Sequence, residues 1–133
     1  MSAICIFGVF VADLCFFGKS IPTRGETILG SKHIVGPGGK GSNQAIAAAR
    51  LNGKVNFITK LGKDSNATMA LDLYSQSGVN IDGVIQDPNL STGVAAIMID
   101  ENGHNAINIV SGAAGHLEKE DINKNLEIIK KSK

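Results

Sequence analysis

"VGPGGKGSNQAIAAARLNG", residues 35–53, sets Gly36, Gly38, Gly39 and Gly41, with Pro37 and Lys40, directly ahead of an alanine-rich run. Alanine is the strongest helix former, so the run from Ser42 to Leu51 predicts a helix. Ser42 or Asn43 is placed to cap its start. Asn52 and Gly53 are the two residue types that best tolerate the left-handed conformation at a helix end. A glycine-rich segment opening a helix can hold a phosphate, let another ligand approach the backbone, or simply turn the chain.

The flanking segments narrow the fold. Upstream, "AICIFGVFVADLCFFG" is β-branched and aromatic with no helical period, which predicts strand, interrupted at Gly8. A turn at Pro22–Gly25 precedes a second, more exposed strand over "ETILGSKHIV". Downstream, "KVNFITKLG" has the apolar continuity of a buried strand. "DSNATMALDLYSQSG" places Met69, Ala70, Leu73 and Tyr74 on one helical face and closes at Gly78. "VNIDGVIQD" is a short strand region, and "STGVAAIMIDENGHNAINIVSG" predicts a hairpin turning at "ENGH". A last helix starts at Leu117, with Ile122, Leu126 and Ile129 at spacings of three and four. Alternating β and α elements predict a largely parallel sheet flanked by helices. The "ETILGSKHIV" strand and the hairpin fit that sheet badly and are expected to pair as a small second sheet.

Composition sets outer bounds. A chain of 133 residues with 43% hydrophobic and 19% charged residues has the makeup of one ordinary globular domain. A net charge of +1 with no basic stripe points away from a nucleic-acid partner. The longest apolar run is far shorter than a membrane span, and the start lacks the basic region of a secretion signal. Cys5 and Cys15 are expected to be reduced thiols of a cytoplasmic protein, and the three histidines lack metal-ligand spacing.

The glycine segment fails both nucleotide tests. A Walker loop ending at Gly39-Lys40 needs glycine at position 34 and a hydroxyl residue at 41, where Ile34 and Gly41 stand. Gly36, Gly38 and Gly41 form a G-x-G-x-x-G, but the next strand ends in Lys60 rather than in the acid that would hold a ribose. Asp13 interrupts an otherwise apolar strand, where a carboxylate is costly unless exposed or partnered. Together, Asp13 and the Asn43 amide suit a polyhydroxyl ligand, one accepting from hydroxyls and the other donating and accepting. The same two residues equally suit a strand-end surface acid and a helix cap.

"GGKGSNQAIAAARLNGKVNFITKLGKD" resembles the N-terminal signature of the ribokinase-like branch of the PfkB carbohydrate kinases. "GVFVADL", "IPTRGETILG" and "STGVAAIMIDENGHNAINIVSGA" lie around it in the family's order. The resemblance implies the N-terminal part of a ribokinase-like α/β fold over residues 1–133, with a β-sheet lid. Lid strands are expected near 12–18, 26–35, 93–100 and 105–112. It also implies a small-molecule sugar held by Asp13, Gly39, Lys40 and Asn43. In that pocket Asp13 and Asn43 would bind hydroxyls, Gly39 would permit close approach and Lys40 would help close the site. Lid crossing with a second copy would make a homodimer.

The departures from the family carry as much as the matches. Val11 stands where ribokinases commonly carry an asparagine, two residues before the pocket acid, which favours an altered or deoxygenated sugar over ribose. Asn52 replaces the usual glycine after the signature helix. The family's Gly-Ala-Gly-Asp segment, with its catalytic Asp and anion hole, does not occur within these 133 residues. ATP, Mg2+ and a monovalent cation are handled by that later half in the family. The chain is therefore expected to be the sugar-binding and lid portion of an ATP-dependent sugar kinase, inactive by itself. The rival expectation is a non-catalytic sugar-binding or dimerisation module that retains the lid.

Overall fold

The computed structural model describes residues 3–133; Met1 and Ser2, which open the stretch read for a secretion signal, lie outside them. The continuous apolar start divides into two strands that belong to different sheets. β1 (Ile4–Phe7) is in the first sheet and β2 (Val11–Phe17) in the second. Gly8 sits at the break because the backbone of Gly41 packs against it: a Cβ on Gly8 would come within 2.9 Å of the Gly41 Cα. This contact seats the start of α1 (Lys40–Arg50) over the end of β1.

The first sheet is parallel and centred on β4 (Val55–Leu61), which pairs with β1 on one side. On the other side β4 pairs with β5 (Val79–Asn80) and then β6 (Val84–Gln86). All but one residue of β4 is buried, Thr59 and Lys60 included, as its central place in the sheet requires. α1 and α2 (Ser65–Ser77) pack on this sheet around Phe10, Ala45, Phe57, Leu61, Ala70 and Tyr74. The Tyr74 ring meets Phe57 edge-on at 5.3 Å and Phe10 at 6.3 Å. Its hydroxyl donates to Ser42 Oγ at 2.9 Å, tying α2 to the first turn of α1. Asp64 caps α2 by accepting from the Ala67 N–H, and Gly78 ends it with φ 76°.

The second sheet has the order β3-β2-β7-β8, with β3 (Lys32–Gly38), β7 (Thr92–Ile99) and β8 (Asn105–Gly112). The expected pairing of the "ETILGSKHIV" strand with the hairpin is corrected: β2 lies between them, antiparallel to β3 and parallel to β7. The strand expected over 26–35 is also displaced to Lys32–Gly38, because β2 offers ladder partners only from Phe17–Lys32 onward. The hairpin turns where expected, with Gly103 at φ 83°.

The chain then passes through a 3-10 turn (Ala113–His116), α3 (Lys119–Lys124) and α4 (Leu126–Lys130). The single last helix expected from Leu117 is thus two short ones. A buried pair holds this end to the core: Lys60 Nζ lies 2.8 Å from Asp121 Oδ2 and donates to the His116 carbonyl at 2.9 Å. The Lys60 ammonium, acting first through its hydrogen bond, and the Glu118 N–H hold the Asp121 carboxyl below its ordinary range.

Candidate functional site

The glycine-rich segment does three jobs in sequence. Gly36 and Gly38 belong to β3, beside Asp13 and Val11 of β2. Gly39 is the cap position of α1 with φ 94°, and a Cβ there would run into the Val9 carbonyl oxygen. Lys40 begins the helix. The expected cap at Ser42 or Asn43 is corrected, since the helix opens earlier and no side chain caps it. Ser42 is instead buried under Tyr74, which leaves Asn43 in the first turn, where its N–H bonds the Gly39 carbonyl at 2.9 Å.

Strand periodicity builds the opposite wall. Side chains of β2, β7 and β8 alternate between faces, so Val11, Asp13, Ala95, Ile97, Ile107, Ile109 and Ser111 share one face. Asp13 lies beside Ala95, and Ala95 beside Ile109. Between this face and the start of α1 is a cleft of about 320 Å3, which Val9, Gly39, Lys40 and Asn43 complete. Asp13, Gly39, Lys40 and Asn43, about thirty residues apart at the extremes, are thus brought together in one cleft.

Within the cleft Asp13 supplies the carboxylate, Lys40 an ammonium, Asn43 an amide and Ser111 a hydroxyl, set among aliphatic side chains. Burial raises the Asp13 carboxyl above its ordinary range. Gly38, read from the sequence only as part of a G-x-G-x-x-G, decides where that carboxylate sits: a side chain at 38 would occupy the space of Asp13 Cγ and both its oxygens. Strand pairing between residues 13 and 36, rather than any local motif, is what places Gly38 there.

A second cluster joins the cleft wall to the first sheet. Asp64 Oδ2 accepts from the Thr92 N–H at 2.7 Å, while Thr92 Oγ1 accepts from the Gly62 N–H at 3.0 Å. The capping acid of α2 therefore also fixes the first residue of β7. Burial opposes ionisation of Asp64, but the Thr92 and Ala67 N–H groups and the Thr92 hydroxyl outweigh it and lower the carboxyl's pKa.

The description "pfkB family carbohydrate kinase" matches residues 1–133. The chain belongs to the pfkB family. A deoxyribokinase of Salmonella typhimurium is 39% identical over 128 residues, covering 96% of this chain and 42% of the relative. The structure of ribokinase from Giardia lamblia superposes with a TM-score of 0.89 at 32% identity, over 99% of this chain and 40% of that one. An Arabidopsis thaliana ribokinase complexed with ribose and ATP gives 0.76 at 33% identity, over 84% of this chain and 36% of that one. The ribokinase-like α/β fold expected from the signature is the fold observed. This pfkB chain spans about two-fifths of the length of the relatives it matches. Among the described residues, no helix is long and apolar enough to cross a membrane.

Proposed function

We propose that the cleft is the sugar site of an ATP-dependent pentose kinase and that this chain forms its sugar-binding and lid portion. The observation that carries the proposal is the convergence of Asp13, Gly39, Lys40 and Asn43 on one cleft whose remaining wall is aliphatic except for Ser111. A pentose has hydroxyls along one edge and C–H groups on its faces. The carboxylate of Asp13 accepts from hydroxyls, and the Asn43 amide donates and accepts. Gly39 lets the ring reach the helix start, while Ile107 and Ile109 cover its C–H face. Lys40 extends over the rim.

Val11 refines the substrate. It is almost fully buried on the strand that carries Asp13 and lines the same cleft. A hydroxyl set against it would lose its water partners without gaining one from the protein, at a cost of roughly 1–3 kcal/mol. We assign the site to a pentose lacking one hydroxyl in preference to ribose, a choice supported by the match to a deoxyribokinase.

The cleft brings together a single carboxylate, Asp13, and among the described residues no three His, Cys, Asp or Glu side chains gather where they could hold a metal ion. ATP, Mg2+ and any monovalent cation belong, in this proposal, to the part of the kinase that this chain does not span, and no phosphoryl-transfer step is assigned to these residues.

Isothermal titration of the 133-residue chain with 2-deoxyribose, ribose and a hexose tests the assignment. Saturable binding of 2-deoxyribose is expected, tighter than that of ribose. Asp13→Ala removes two hydrogen bonds to a charged acceptor, each worth about 1.5–3 kcal/mol, so affinity should fall by about 100-fold or more. Unchanged affinity in that variant would refute the site.

A further inference from the structure

Two rows of side chains cross the sheet face of the cleft. In the first, Val11 of β2 lies beside Gly93 of β7. Thr92 pairs with Gly112 and Val94 with Val110, so Gly93 in turn faces Ser111 of β8. The second row on the same face is Asp13, Ala95 and Ile109. Polar and apolar groups are thus placed diagonally. Asp13 stands at one corner and Ser111 at the opposite one, while Val11 and Ile109 occupy the other two.

The middle strand keeps the space between these corners open. Gly93 carries no side chain and has no room for one: a Cβ there would come within 2.6 Å of the Ser111 carbonyl oxygen and 3.0 Å of Val11 Cγ1. Ala95 adds only a methyl group. Two strand spacings separate the Cα atoms of Val11 and Ser111 by roughly 9–10 Å, with that bare floor between them. Behind Ser111 the 3-10 turn closes tightly, since a Cβ on Gly115 would come within 2.9 Å of Ser111 Cβ. The Ser111 side chain is exposed in the cleft, so its hydroxyl is available to a ligand.

We infer that Ser111 is a second anchor for the sugar, set across the cleft from Asp13, and that it helps to decide which pentose the site takes. The inference rests on the sugar-site reading above and adds a residue to it. Asp13 accepts from one hydroxyl, and Ser111 donates to or accepts from another. Val11 shares a strand with Asp13 and a row with Ser111, so the carbon lying against it sits between the two anchored hydroxyls. 2-Deoxyribose has this order of groups. Its second carbon carries only hydrogens, and both neighbouring carbons carry hydroxyls. Ribose fits the two anchors equally well but sets a hydroxyl against Val11.

NMR titration of the 15N-labelled 133-residue chain and of Ser111→Ala with 2-deoxyribose, 1,2-dideoxyribose and 2,3-dideoxyribose tests this. Losing one neutral hydrogen bond should weaken 2-deoxyribose binding about 3- to 10-fold. The melting temperature should not change, because the side chain is exposed. One dideoxy sugar lacks the hydroxyl that Ser111 holds, so its affinity should be the same for wild type and variant. The other should lose as much as 2-deoxyribose does. That split identifies the anchored hydroxyl, and a merely structural role for Ser111 would not produce it. Unchanged 2-deoxyribose affinity in Ser111→Ala, or an equal loss for all three sugars, would overturn the inference. With Asp13→Ala still abolishing binding, either result would leave the sugar site standing. No saturable binding by the wild-type chain would overturn the sugar site and this inference with it.

Discussion

Asp13, assigned here to the proposed sugar site, opposes the stability of its own scaffold. Burial raises its carboxyl above the ordinary 3.8. For an acid whose folded-state pKa is raised, the favourable contribution is complete below the unfolded value and is lost as pH rises through the folded one. The ionised carboxylate therefore weakens the ligand-free chain at neutral pH. Asp13→Asn should raise the melting temperature at pH 7, with the gain shrinking towards pH 4, and should still cost the pentose affinity. A lower melting temperature at pH 7 would show that the carboxylate has compensating partners. Gly38→Ala tests the same geometry from the neighbouring strand: its methyl group takes the space of the carboxylate, so it should mimic Asp13→Ala in titration while Asp13 remains present.

The elements that could be read from sequence are those whose signals are local. Residues 65–77 combine a helical apolar face with Asp64 before them and Gly78 after, and the helix occupies that span. Strands depend on partners, and there the reading slipped. Glu26–Gly30 has strand-like composition, yet Glu26 folds back to the Thr23 N–H and Leu29 is 96% exposed, because β2 provides no ladder at that level. The split of the apolar start into β1 and β2 was hidden for a similar reason, since it depends on the contact between Gly8 and Gly41, 33 residues apart. Asp64 was read from the sequence neither as a cap nor as the group that fixes Thr92, although its place just before the helix carried the first signal. Asp64→Ala should cost about 2–3 kcal/mol, combining a lost helix cap with an unsatisfied Thr92 N–H. Its pKa is lowered in the fold, so the stability it contributes is present above 3.8 and disappears as pH falls through the depressed value. Acid melts of wild type and Asp64→Ala should therefore converge below pH 4; curves that stay parallel would mean that the protonated carboxyl keeps both the cap and the Thr92 contact.

At the scale of the molecule, the two sheets differ in how well they are covered. The first has α1 and α2 on it, whereas the second exposes apolar groups on both faces. Ile107 and Ile109 are more than half exposed on the cleft side, and Phe16, Val35, Met98 and Val110 are exposed on the other. Apolar surface in contact with water is worth about 25 cal/mol per Å2 when buried, which favours association between copies. Contact through the cleft side would compete with a bound pentose, whereas contact through the other face would not. Sedimentation velocity of the 133-residue chain should show concentration-dependent association. Val35→Lys combined with Val110→Lys should suppress it and leave 2-deoxyribose affinity unchanged, because neither side chain lines the cleft. If association instead persisted in that variant and receded only when the sugar was added, the copies would be meeting through Ile107 and Ile109, and ligand binding and assembly would be mutually exclusive.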